Sequence, residues 1–283
     1  MRSTWYLAFD PRPRARLHLY GLPFAGGGAS MFRHWSRHLP PWIELRAVRL
    51  PGRQGLHRRP AFTDCDRAVR WLADSLAESA AGEQAAERVP FALFGHSMGA
   101  MLGYRLTRLL RHEHAQLPVL LAVASWPVRG AEAGMPDPAS SDERFLAELR
   151  ALGGLPPELA EDPGLLEMTL PVARADFRLC RSYAYRPEPP LPVPVAVFGG
   201  THDPVAPPGS LAEWQGHTDD YRGLRLYPGG HFFLRDHLPA VAASLATELA
   251  VVRGEAVIHG EAVIHGEKAQ ASMPEDAPGL AGT

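Results

Sequence analysis

Residues 91–110 read FALFGHSMGAMLGYRLTRLL. An apolar run, FALF, enters Gly95-His96-Ser97-Met98-Gly99 and leaves as an amphipathic helical pattern. A Gly-x-Ser-x-Gly match occurs often by chance. The order strand, tight turn, helix is what gives this one meaning, because the glycines permit a sharp turn that lifts a serine hydroxyl clear of a sheet edge. The helix that follows aims its N-terminal N–H groups and dipole at the same point. Ser97 is therefore a candidate nucleophile. The competing reading is a Gly-flanked serine that caps the helix.

Further apolar runs lie on either side, at 16–22, 43–50, 119–125, 193–199 and 224–227. Continuous Val/Leu/Ala/Phe runs suit strands buried on both faces, as in a parallel sheet. Helical patterns alternate with them at 64–80, 97–112 and 237–252. In the last, Leu238, Val241, Ala242, Leu245, Leu249 and Val252 recur at helical spacing. The alternation predicts an α/β fold, a mostly parallel sheet with helices on both faces. Residues 127–190 interrupt it with a loop and two helical stretches and no good strand. They read as a helical lid insertion over the functional edge, or as a helical crossover without a gating role. The expected division is core 1–126, lid 127–190, core 191–253 and a disordered tail 254–283. GEAVIH occurs twice in succession in the tail, at 254–265. Two copies make no solenoid, and His259 and His265 read as a slippage repeat in preference to a metal site.

A serine needs a base to take its proton. In the chain order Ser…Asp…His, His231 fits, in Pro228-Gly229-Gly230-His231-Phe232-Phe233 just after the last strand candidate. His112 and His114 lie at the far end of the helix that Ser97 opens, and His237 begins the terminal helix. His96 and His202 read as supporting or exposed. The orienting acid should follow a strand end. Asp203 does, in FGGTHDPVAP at 198–207, with Asp176, Asp219 and Asp220 as competitors. Some relatives of such folds carry the acid after an earlier strand, but Ser125-Trp126-Pro127 offers no carboxylate there. Oxyanion donors are expected from the N–H of Met98, after the nucleophile, and from that of Ala25 in LPFAGGGAS at 22–30. That Gly-rich loop lacks GxGxxG spacing and a Gly-Lys-Ser/Thr ending, which argues against a nucleotide site.

The chain has 283 residues, 46% apolar and 21% charged, with a net charge of −2. That is an ordinary globular composition, and it excludes nucleic-acid binding through bulk charge. The two cysteines, Cys65 and Cys180, make no disulfide framework or zinc site, so a reducing, cytoplasmic setting is expected. No cofactor and no metal are called for. The N-terminal residues hold no apolar run of signal-peptide length, and 117–128, the longest apolar stretch, is too short to span a bilayer. Nothing reads as a coiled coil or a dimer strand, so a monomer is expected.

Together these motifs resemble a family, the stand-alone type II thioesterases of polyketide and nonribosomal peptide assembly lines, within the α/β-hydrolase fold. The resemblance runs from about Arg16 to Leu249. LPFAGGGASMFRHW, VRLPGRQGLHRRP, FALFGHSMGAMLGYRL, the segment around Arg174-Ala175-Asp176-Phe177, FGGTHDPVAP and PGGHFFL carry it. SWPVRGAEAG at 125–134 and the repeat-bearing tail depart from the family's wording. The resemblance implies Ser97, Asp203 and His231 as a triad, the N–H groups of Ala25 and Met98 as an oxyanion hole, and a lid over the acyl channel. It implies an acyl group held on the phosphopantetheine arm of an acyl or peptidyl carrier protein that arrives in trans, with hydrolysis clearing stalled or aberrant acyl groups. Neither nucleic acid nor membrane is an expected partner. Arg53, Arg58 and Arg59, with Arg49, cluster in and after the second strand candidate. They are candidates for docking an acidic carrier, the alternative being a solvated loop. A general esterase, an acyltransferase on the same triad, and a binding protein of this fold without catalysis are the competing functional readings.

Overall fold

The computed structural model describes residues 5–81, 89–131, 133–155 and 161–254. The expected disordered tail and its repeat fall outside them beyond Gly254. Seven strands form one sheet: β1 (Tyr6–Leu7), β2 (Leu17–Leu22), β3 (Ile43–Val48), β4 (Phe91–His96), β5 (Leu121–Ala124), β6 (Leu191–Gly200) and β7 (Thr218–Tyr227). Their spatial order is β1-β3-β2-β4-β5-β6-β7. Every pairing is parallel except β1 with β3. The helices are α1 (Cys65–Ala81), α2 (Met98–His112), α3 (Asp142–Leu152), α4 (Pro163–Arg181), α5 (Pro208–Ala212) and α6 (Leu234–Arg253), with short 3₁₀ turns at Ala29–Phe32, Trp35–His38 and Glu213–His217.

Side chains alternate across the sheet, so each strand feeds two cores. Leu93, Val123 and Val197 face the side covered by Leu72 of α1, Leu102 and Leu106 of α2 and Leu179 of α4. Their neighbours Phe94, Ala124 and Phe198 face Phe32, Trp35 and the Val241, Leu245 and Leu249 stripe of α6. Burying each such leucine contributes about 1.5–3 kcal/mol. Both faces are covered, which is why the strands read as unbroken apolar runs.

The expected strands and long helices all form, with shifted ends. β7 starts at Thr218, six residues before the apolar run at 224–227. Its first half, TDDYRG, is polar because it lies at the sheet edge. β1 was not expected. It is two residues long and pairs antiparallel with β3. α6 starts at Leu234 and is kinked at His237 (φ −118°, ψ 19°), two residues before Pro239. α3 and α4 lie between β5 and β6. Among the described residues, no helix is long and apolar enough to cross a membrane.

Candidate active site

Parallel strands end at the same edge, so the loops after β2, β4, β6 and β7 meet there. Ser97 is the hinge between β4 and α2, with φ 54° and ψ −117°. This is the left-handed side of the map, uncommon for a non-glycine residue and costly to hold. The flanking glycines explain how the turn is packed. A Cβ on Gly95 would lie 2.2 Å from the backbone of Gly99, and one on Gly99 would lie 2.1 Å from the carbonyl oxygen of Leu22. Only glycine lets α2 start this close to β4 and β2. The Ser97 N–H donates to the Ala124 carbonyl at 2.8 Å. Its hydroxyl makes no capping bond to α2. Instead Oγ lies 2.9 Å from His231 Nε2.

His231 follows β7 through Pro228, Gly229 and Gly230 and is buried. Its Nδ1 lies 2.9 Å from Asp203 Oδ2 and 3.0 Å from Oδ1. A carboxylate has no proton to give, so Nδ1 carries the hydrogen and donates it. Nε2 is then left with a lone pair towards the Ser97 hydroxyl. Asp203 sits in the loop after β6, and its Oδ1 also accepts from the N–H groups of Val205 (2.9 Å) and Ala206 (3.0 Å). Burial works against its charge. The hydrogen bond and charge of His231, the Ser125 hydroxyl and the Ala206 N–H outweigh burial and hold the carboxyl below its ordinary value.

The structure thus brings together the three residues singled out for the triad. Ala25 lines the same cleft as Ser97 and His231. Met98 opens α2, where the first N–H groups of a helix have no intrahelical acceptor. The rest of the lining is apolar, notably Phe24, Met135, Phe177 and Phe232. The cleft spans about 370 Å³, including space open to solvent.

The competing acids lie elsewhere. Asp219 and Asp220 are exposed at the start of β7, the far end from His231. Asp176 is buried on α4 and bonds Arg53 and the Gly26 N–H. Among the histidines, His202 is exposed beside Thr201, His112 meets Glu188, and His237 meets the Pro228 carbonyl. Of the docking arginines, Arg58 and Arg59 are exposed. Arg53 is not: it is 7% exposed, and its guanidinium faces inward onto Asp176. A buried guanidinium committed to a carboxylate offers no charge to a docking partner, which corrects the expectation for Arg53.

Two residues at the site carried no such role in the sequence reading. Ser125, just after β5 with φ 52°, is fully buried; its hydroxyl helps hold the charge of the Asp203 carboxylate and lies 3.4 Å from the His231 carbonyl oxygen. Gln54 accepts from the Ala29 N–H at 2.6 Å and so holds the Gly-rich loop. Neither has a local sequence signal, because both partners are distant in the chain.

Comparison with known proteins gives one answer. The thioesterase domain family matches residues 17–249. The chain is 36% identical over 255 residues to the thioesterase PikA5 of Streptomyces venezuelae, spanning 89% of this chain and 88% of that one. It is 32% identical over 251 residues to the gramicidin S biosynthesis protein GrsT of Aneurinibacillus migulanus, spanning 88% of this chain and 95% of that one. Among solved structures it is similar to the type II thioesterase BorB from the borrelidin biosynthetic cluster. The TM-score is 0.75, with 33% identity, over 87% of this chain and 97% of that one. The fold is that of the α/β-hydrolases.

Proposed function

The chain belongs to the thioesterase family, and from that premise we propose that it clears acyl groups from the phosphopantetheine arms of acyl or peptidyl carrier proteins in polyketide or nonribosomal peptide synthesis. The observation that carries the chemistry is His231, hydrogen-bonded at once to the Ser97 hydroxyl and to the Asp203 carboxylate in a buried, apolar cleft.

In this reading Ser97 Oγ attacks the thioester carbonyl while His231 Nε2 takes its proton. Asp203 keeps the imidazole in the required tautomer and stabilises the imidazolium. The oxyanion of the tetrahedral adduct accepts from the N–H groups of Ala25 and Met98. Collapse breaks the carbon–sulfur bond, and His231 returns its proton to the departing sulfur. A thiol of pKa about 8.5 is a good leaving group. Water then attacks the acyl-Ser97 ester with His231 again as base, releasing the acid.

Residues 127–190 are assigned the lid. Its α4 supplies Phe177 and Cys180 to the cleft. A helix of this insertion lining the cleft beside Ser97 supports a lid over the acyl site. Chain 1–126 and 191–253 is the core, and the tail follows. Arg58 and Arg59 are exposed after β3, at the edge where Ser97 lies, which supports docking of an acidic carrier there. The free, buried Cys65 and Cys180 support a reducing cytoplasm.

The test compares acetyl- and propionyl-phosphopantetheinyl carrier protein with p-nitrophenyl esters of equal chain length. A kcat/KM clearly higher on the carrier thioesters supports the reading. Faster turnover of the free esters, or transfer to an added alcohol or amine in place of water, contradicts it.

A further inference from the structure

Residues Phe24–Gly27 form a tight turn, closed by a 2.9 Å bond from the Gly27 N–H to the Phe24 carbonyl. Gly26 has φ +81°, the conformation that a type II turn requires at its third residue. The turn matters because one planar peptide joins the Phe24 carbonyl to the Ala25 N–H, and the two point in opposite directions. Whatever fixes the turn therefore aims that N–H.

A buried ion pair fixes it. Asp176 on α4 is 1% exposed, and Arg53 is 7% exposed. Arg53 Nη1 donates to Asp176 Oδ2 and Nη2 donates to Oδ1, each at 2.6 Å. The same Oδ2 accepts the Gly26 N–H at 2.7 Å, and the same Nη1 donates to the Gly27 carbonyl at 2.8 Å. The charged pair thus grips the turn by one donor and one acceptor. Gln54, next to Arg53, holds the loop two residues on through the Ala29 N–H. Three segments far apart in sequence meet at this point: the Gly-rich loop, the loop after β3, and α4.

We infer that Asp176 and Arg53 are positioning residues for the oxyanion donor at Ala25, so that the hole is complete only when α4 is seated on the Gly-rich loop. This rests on the assignment of Ser97 as nucleophile. A bidentate guanidinium–carboxylate pair is directional, and here each partner keeps one bond to spare for the turn. Losing the pair releases the Gly26 N–H and the Gly27 carbonyl, the turn relaxes, and the Phe24–Ala25 peptide that carries the donor shifts with it. Substrate contacts elsewhere in the cleft remain.

Asp176→Asn and Arg53→Lys test this, with hydrolysis of a p-nitrophenyl ester as the assay and an alkylboronic acid as the probe. The boronate adds to Ser97 and places its charged oxygen in the hole. A thioether analogue of acyl-pantetheine has no such oxygen. Loss of a whole oxyanion donor costs about 10²–10³ in rate, so a misaimed one should lower kcat about 10–100-fold. The boronate Ki should rise by a similar factor while KM and thioether affinity stay within about two-fold. Where a single variant leaves an uncompensated buried charge and fails to fold, the neutral pair Arg53→Gln/Asp176→Asn carries the same test. The inference is overturned if wild type hydrolyses the ester and folded variants keep its kcat and boronate Ki. It is also overturned if the variants lose only the fraction of active sites, with each remaining site binding boronate normally. A wild type that neither hydrolyses esters nor binds boronate would overturn the Ser97 assignment itself.

Discussion

The ring Nε2 of His96 lies 2.8 Å from the carbonyl oxygen of His231. A carbonyl only accepts, so His96 carries its proton on Nε2. Burial, with the charge of His231 adding to it, takes its pKa down to about 3 and keeps it neutral. The residue before the nucleophile thereby holds the backbone of the base. His96→Gln can restore the donor and should keep most of the activity. His96→Leu leaves a buried carbonyl without its partner, at a cost of about 1–3 kcal/mol, and loosens His231, with kcat about 10–100-fold lower. Urea unfolding and steady-state rates measure the two effects. Equal behaviour of the two variants would remove His96 from this role.

Asp203 is held ionised by the groups around it, so its charge persists at any pH above the usual carboxylate range. Asp203→Asn keeps the shape and loses the charge, and it allows the wrong tautomer of His231. We expect kcat to fall about 10³–10⁴-fold with the fold intact. Ser125→Ala, which removes one of the several bonds to that carboxylate, should cost no more than about ten-fold. A larger loss from Ser125→Ala than from Asp203→Asn would reverse their roles.

Two buried histidines set an acid limit on stability. Burial, with the Arg46 guanidinium adding to it against Glu44, takes His18 down to about 4, and His96 lies near 3. In the unfolded chain both titrate near 6.5. As pH falls below 6.5 the unfolded state binds protons that the folded state refuses. Stability therefore drops through this window and levels off only when each folded histidine takes up its own proton. Arg46 donates to His18 Nε2 at 2.8 Å, an acceptor position that His18→Gln can supply. That variant should reduce the slope of unfolding free energy between pH 6 and 4.5 by about one proton. An unchanged slope would show that His18 is not held neutral.

The exposed pair Arg58 and Arg59 should act on encounter with the carrier and leave chemistry alone. Arg58→Glu/Arg59→Glu is expected to raise KM for acyl-carrier protein about ten-fold at low salt, with the difference shrinking as salt rises. Rates on small thioesters should be unchanged. A KM for carrier equal to that of wild type would place the docking surface elsewhere.

The sheet was legible because its strands are buried on both faces and so stand out as apolar runs. β1 and the first half of β7 were not, being respectively two residues long and polar at an edge. Ser97, Asp203 and His231 could be chosen because each follows a strand end flanked by glycines, and the structure places them within hydrogen-bonding distance. Arg53 was misread because an arginine in a polar loop is usually solvated, and the carboxylate that buries it lies 123 residues away on α4. Ser125 drew attention only as a missing carboxylate. Its bond to Asp203 is a product of tertiary structure alone.

The proposed chemistry has acyl groups leaving the carrier through Ser97. Propionyl-phosphopantetheinyl carrier protein, mixed with enzyme and quenched early, can be followed by intact-protein and peptide mass spectrometry alongside release of free acid. The wild type is predicted to carry one acyl group on the peptide holding Ser97 and to release propionate. Ser97→Ala should carry none, and its rate should fall about 10⁴-fold or more. An acyl group on another residue, or a Ser97→Ala variant that still unloads the carrier at a rate near wild type, would contradict the account.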